Sequence, residues 1–145
     1  MEVCTLGFTR RSAAEFFGIL RQAGIKRLLD VRLKNDSQLA GFTKRDDLAF
    51  FLKELCGAEY VHEPRLAPTK DMLDGFKKKK LSWDDYERRF RALLAERKVE
   101  EMLDRASFAA PTALLCSEPV AEHCHRRLVL EYLQSKWGGI EIRHL

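Results

Sequence analysis

The chain has 145 residues, 46% of them hydrophobic, with 26 lysine and arginine residues against 22 aspartate and glutamate, a formal net charge of +4. That length suits one domain with its own core and needs no covalent staples. The charge excess is too small to argue for nucleic acid by itself, and no apolar run approaches the ~20 residues of a membrane span. Cysteines at positions 4, 56, 116 and 124 form neither a CxxC pair nor a secreted-type framework. The opening Met1-Glu2-Val3-Cys4-Thr5 has no basic segment and no small-residue cleavage site. A cytoplasmic, reducing setting with free thiols is the expectation.

In chain order, residues 2–8 read as a strand from the start. Ser12 with Glu15 has capping-box spacing, and Phe16, Ile19, Leu20 and Ala23 form an amphipathic stripe that ends at Gly24. A β-like run over 26–32 follows. Thr43 is a candidate N-cap for a second stripe, Leu48, Phe51, Leu52 and Leu55, closed by Gly57 before a strand at 59–63. Residues 64–81, with two prolines and the run Lys77-Lys78-Lys79-Lys80, read as an irregular or mobile insertion that a helix near Lys70–Lys77 would shorten. A four-lysine run is most often a solvated surface, and an anionic partner is the sharper reading. Ser82 is an N-cap for an amphipathic stretch to about Arg105, where Trp83, Tyr86 and Phe90 follow helical spacing and read as packing rather than a base-stacking platform. A strand at 112–117, a helix carrying Leu128, Val129, Tyr132 and Leu133, the pair Gly138-Gly139 and a strand at 140–144 complete the chain. Glycine just past a helix tolerates the left-handed cap that ends it. This alternation predicts an α/β fold: a single three-layer α/β/α domain of about five mainly parallel strands, covered by helices on both faces.

The most informative stretch is Cys116-Ser117-Glu118 followed, after five residues, by Cys124-His125-Arg126, where a strand hands over to a helix. Strand-to-helix turns gather helix N-terminal amides and strand-end side chains, so they are where α/β proteins place ligands. Cys116 and Glu118 alternate along the strand exit, while Cys124 and His125 stand four residues before Leu128 and Val129 on the sheet-facing stripe. The other strand ends bring Thr9 and Arg10, Asp30 and Arg32, and His62 with Glu63. His123 lies about a quarter turn from Cys124 and reads as solvent-exposed.

Three readings compete. In the first, Cys124, or second Cys116, is a nucleophile with a depressed pKa, His125 or Glu118 handles the proton, and Thr9, Arg10, Asp30, Arg32 and Arg126 form the anion-binding set, the arginines carrying the charge. The substrate is then an anionic small molecule or nucleotide. In the second, the arginines and Lys77–Lys80 bind nucleotide or nucleic acid without chemistry. In the third, Cys116, Cys124 and a histidine bind zinc or another soft metal, although the spacing matches no standard zinc pattern. Beside these stands a bland alternative, in which Cys116 fills a core strand and Asp30–Arg32 and Glu118–Arg126 are structural pairs. No cofactor is expected: neither GxGxxG nor GxxxxGK[ST] occurs, and there is no GxSxG elbow.

Thr5-Leu6-Gly7-Phe8-Thr9-Arg10, Glu15-Phe16, Asp30-Val31-Arg32, Tyr60-Val61-His62 and the terminal Cys116-Ser117-Glu118 with Cys124-His125-Arg126 occur in the order seen in the domain-of-unknown-function 488 family. The chain resembles that family over nearly its whole length, and the five-residue gap in the terminal motif is the specific part. The resemblance implies a single-domain α/β protein and supports the choice of site, while leaving the reaction open. The chain departs from the family's usual pattern at Phe8, where histidine is frequent, at Leu66-Ala67-Pro68, where a Leu-Gly-Gly-like turn is common, and at Val120-Ala121, where Asp-Pro often begins the last helix.

Overall fold

The computed structural model describes residues 1–117 and 123–145. In chain order they form β1 (Glu2–Gly7), α1 (Ala13–Gln22), β2 (Arg27–Asp30), α2 (Arg45–Phe51), β3 (Glu59–His62), α3 (Lys70–Lys77), α4 (Trp83–Arg97), α5 (Val99–Met102), β4 (Thr112–Cys116), α6 (His125–Trp137) and β5 (Glu141–His144). The strands make one sheet in the order β3-β2-β4-β1-β5, every pairing parallel. This is the expected three-layer α/β fold.

Strand β4 lies at the centre of the sheet and all five of its residues are buried. Its side chains alternate between faces, as a pleated strand requires. Ala113 and Leu115 join Cys4, Leu6 and Leu28 beneath Phe16, Phe17 and Leu20 of α1 and Leu48 of α2. Leu114 and Cys116 join Val3, Leu29 and Val31 on the opposite face, against Tyr86, Phe90 and Leu94 of α4 and Leu128 and Leu133 of α6. That parity delivers the Cys116 sulfur to the α4–α6 side. From the neighbouring central strands the chain then departs in opposite directions. β1 leads through α1 towards β2, and β4 leads through α6 to the edge strand β5. Such a divergence leaves a crevice at the carboxyl ends of the strands.

The local signals mostly hold. Ser12 and Glu15 form a reciprocal capping box, Ser82 caps α4, and Gly24 and Gly57 take left-handed backbone at φ 68° and 59°. Thr43 does not cap α2, which starts one residue later behind Lys44. Its hydroxyl instead donates to the Ala40 carbonyl and accepts from Arg32 Nη1, so a buried network takes the group a cap would have used. The amphipathic stretch from Ser82 does not run on to Arg105 as one helix. It stops at Arg97, where Lys98 turns left-handed at φ 52°, and the short helix α5 follows. Residues 64–81 contain a 3-10 turn at Pro64–Leu66 and the helix α3, capped by Thr69.

The exit of β2 is organised by a buried ion pair. Arg32 Nε and Nη2 reach the two carboxylate oxygens of Asp30 at 2.8 and 2.7 Å, and Arg32 Nη2 also donates to the Thr43 carbonyl at 2.7 Å. Tyr60 donates to the same carboxylate at 2.6 Å, and Asn35 donates to the Tyr60 hydroxyl at 2.8 Å. Removing one member strands an uncompensated charge among apolar neighbours. Arg32→Met is expected to cost about 3–5 kcal/mol in chemical denaturation, whereas the double change Asp30→Leu with Arg32→Met should recover much of the loss. Additive losses from the two single changes would refute this coupling.

Candidate functional site

Cys116, the last residue of β4, and Cys124, the residue before α6, meet at the crevice with their sulfurs in bonding contact as a disulfide. The expectation of four free thiols therefore fails for this pair, while Cys4 and Cys56 are free. The Cα atoms of Cys116 and Cys124 stand 7.6 Å apart. Both residues are at most 2% exposed, and a ring nitrogen of His125 joins the two sulfurs with all three atoms within 4.8 Å of one another.

Two buried side chains support this cluster. Arg126, 1% exposed, donates from Nη1 to Cys116 Sγ at 3.0 Å. His125 donates from Nε2 to the Val31 carbonyl at 2.7 Å, which ties the start of α6 to the exit of β2. Burial, with the Arg126 charge beside it, lowers the His125 pKa to about 4 against the opposing pull of that hydrogen bond. The ring is therefore neutral near pH 7. His62 makes the parallel contact one strand over, donating from Nε2 to the Arg32 carbonyl at 2.8 Å. Tyr60 is held well above its usual pKa by burial and by the Asp30 carboxylate it bonds.

The cluster forms the floor of a cleft of about 530 Å³, a size typical of small-molecule sites. Phe8, Phe76, Trp83 and Tyr86 give it aromatic walls, and His123 stacks on Trp83 with ring centroids 4.9 Å apart. Arg32, Lys34, Lys70 and Lys77 supply positive charge around it, and among the described lining residues Asp74 is the one carboxylate. Arg32 also lies over the Phe8 ring at 5.3 Å.

Sequence reasoning placed Cys116, Cys124, His125 and Arg126 together, and the structure does the same. Arg32 reaches the cleft wall. Asp30 is fully buried behind it and serves the ion pair rather than the cleft. Thr9 and Arg10 are exposed at the exit of β1, where the Thr9 amide donates to the Ser117 carbonyl, and neither lines the cleft. Glu118 lies outside the described residues, as do Val120 and Ala121. The sequence reading did not identify the aromatic walls: Trp83 and Tyr86 pack as helical spacing implies, but on the first turn of α4 they also face the cleft. His123 is exposed as expected, yet it borders the site.

The buried His125 gives the fold a pH signature. Its pKa is about 4 when folded and near 6.5 when unfolded, so the unfolded chain binds the extra proton between those values. Stability should then fall as pH drops from about 6.5 towards 4, by about 3 kcal/mol from this residue. Denaturant titrations of wild type and His125→Gln across that window should show the mutant's curve flatter by this amount. Parallel curves would assign the acid loss to other groups.

No curated protein and no solved structure matches this chain. A family model, however, aligns with residues 12–133, a span that includes the β2 exit, the described cleft-lining residues other than Phe8, and the whole cysteine cluster. On that match the chain belongs to the family described as Domain of unknown function DUF488.

Proposed function

We propose that the protein is an enzyme acting on an anionic, ring-bearing small molecule of nucleotide type, with its chemistry carried by the cysteine pair. The observation that carries this reading is the placement of Cys116 and Cys124 at the floor of a cleft with aromatic walls and a cationic rim. A flat ring fits against such walls, and a phosphate or carboxylate is attracted by Lys34, Lys70, Lys77 and Arg32. Arg32 is already committed to Asp30, so the lysines are the groups with donors to offer.

In the reduced protein Cys116 is the preferred thiolate. A guanidinium hydrogen bond stabilises the ionised sulfur directly, and the reactive form of cysteine is that ion. Cys124 stands at the N-terminus of α6, where the helix dipole also favours negative charge, and it is placed to act as the second thiol. His125, with its low pKa, is a weak base. The proton leaves Cys116 because the thiolate is stabilised, not because the imidazole draws it.

Alkylation rates of all four cysteines against pH, read by peptide mass spectrometry on the reduced folded protein, test the chemistry. Cys116 should react well below pH 8, while burial raises the Cys4 pKa and keeps that thiol silent. Arg126→Gln should move the Cys116 profile towards ordinary thiols. Equal profiles for Cys116 and Cys4 would refute the thiolate. For the ligand, nucleoside monophosphates should raise the melting temperature, and Lys70→Ala with Lys77→Ala should abolish the rise. Binding of single-stranded RNA that weakens steeply with salt and survives Cys116→Ala would instead favour a nucleic-acid module using Lys77–Lys80.

A further inference from the structure

We infer that Cys116, Cys124 and His125 form a binding site for one soft divalent cation, zinc first, whose fourth coordination position faces the cleft. The inference concerns the same side chains as the catalytic reading but does not rest on it. The first support is convergence. Two sulfurs and a ring nitrogen lie within 4.8 Å of one another. In a tetrahedral zinc site, bonds of about 2.3 Å to sulfur and 2.0–2.1 Å to nitrogen place neighbouring ligand atoms about 3.5–3.8 Å apart. After reduction the two sulfurs must separate from bonding contact to that spacing, while the ring nitrogen already lies within 4.8 Å of both.

The second support is backbone spacing. The 7.6 Å between the Cα atoms of Cys116 and Cys124 exceeds the about 4.4–6.8 Å usual for cystine. It suits two sulfurs that point at a shared third atom, because an ion between them lets the backbones stand further apart. The third support is the arrangement behind the ligands. His125 Nε2 is held by the Val31 carbonyl, which leaves Nδ1 as the nitrogen with a lone pair to give. A ligating imidazole typically has such a partner on its other nitrogen, fixing tautomer and ring orientation. The Arg126 bond to Cys116 Sγ does the same for a thiolate.

Thiolate and imidazole donors select zinc over magnesium or calcium. Three protein ligands with an open fourth position are the pattern of a site that presents an ion to a substrate, whereas closed structural sites use four. The Cys116–Cys124 disulfide is first reduced to two thiols by a dithiol or thiol reductant, which supplies two electrons and two protons and is itself oxidised to a disulfide. Binding is then a ligand exchange. The two thiols lose their protons to solvent, two sulfur–metal bonds and one nitrogen–metal bond form, and water leaves the ion. At Cys116 the metal-bound and nucleophilic states exclude each other. A bound ion would make the floor of the cleft a Lewis acid facing the lysine-bordered space.

The test uses the full chain, reduced with a phosphine, stripped by chelator and titrated with Co²⁺ as the probe. One equivalent should bind, with sulfur-to-cobalt charge-transfer absorption in the near ultraviolet and the visible bands of a tetrahedral ion, and Zn²⁺ should displace it. His125→Gln keeps both thiols and should weaken binding at least tenfold. On the unmutated protein, Zn²⁺ should protect Cys116 and Cys124 from alkylation and leave Cys56 unchanged, a readout that needs no variant to fold. Absence of the charge-transfer band with both thiols reduced, or equal protection of Cys56, would overturn the inference. Fast low-pH alkylation of Cys116 in the metal-free protein would still support the thiolate reading, so the two stand or fall separately.

Discussion

The buried bond between Asp30 and Arg32 is the constraint on which the site depends. It fixes more than two side chains. The Asp30 carboxylate also accepts from the Arg32 amide at 3.1 Å, so the backbone of Asp30-Val31-Arg32 is held in one shape. That shape presents two carbonyls to two histidines, Val31 to His125 and Arg32 to His62. The first of these bonds sets where α6 begins relative to β2, and Cys124 immediately precedes that start. A single desolvated ion pair thus registers a helix against a sheet. Buried pairs of this kind contribute little net stability when replaced as a unit, yet tolerate no half-measure. Its role here is one of position.

A second arrangement works with the first. Strand parity places Cys116 on the α4–α6 face, where α4 supplies Trp83 and Tyr86 of the aromatic walls and α6 the buried arginine. Tyr86 and Phe90 belong to the same apolar cluster as Cys116 and Cys124, and Phe90 meets the His125 ring edge-on at 5.7 Å. The surroundings exclude water on one side and open to the cleft on the other. In such a medium the Arg126 charge acts on the sulfur with little screening, which is why one hydrogen bond weighs heavily there.

Much of this was legible in the sequence because it rests on local rules. Helix, glycine and strand follow one another three times, and the chain obeys that rhythm. The spacing of Cys124 and His125 before Leu128 and Val129 put them on the buried stripe, and burial followed. What stayed hidden depends on long-range geometry. Strand order determines which exits are neighbours, so it sets the Thr9 amide on the Ser117 carbonyl, and neither Thr9 nor Arg10 lines the cleft. The pairing of Asp30 with Arg32 is one reading of the linear sequence, but the Tyr60 hydroxyl that also holds the carboxylate comes from another strand, and only the fold shows it. Thr43 has the composition of a cap, but tertiary contact claimed its hydroxyl. Trp83 and Tyr86 obey helical spacing whether they face a core or a cavity, and periodicity cannot tell the two apart.

Cys116 is at once the last residue of the central strand and the first of the cluster. No loop separates Leu114 and Leu115 from the sulfur, so the apolar core and the cysteine cluster share one piece of backbone. A substitution that repacks the middle of the sheet shifts that sulfur relative to Arg126 and His125. A side chain on a long loop can shift independently of the scaffold, but Cys116, inside the central strand, cannot. In laboratory evolution, gains in thermal stability at β4 and its neighbours would therefore arrive coupled to changes in reactivity. Substitutions on α3 and the first turn of α4 would reshape the cleft wall while leaving the cysteine cluster in place.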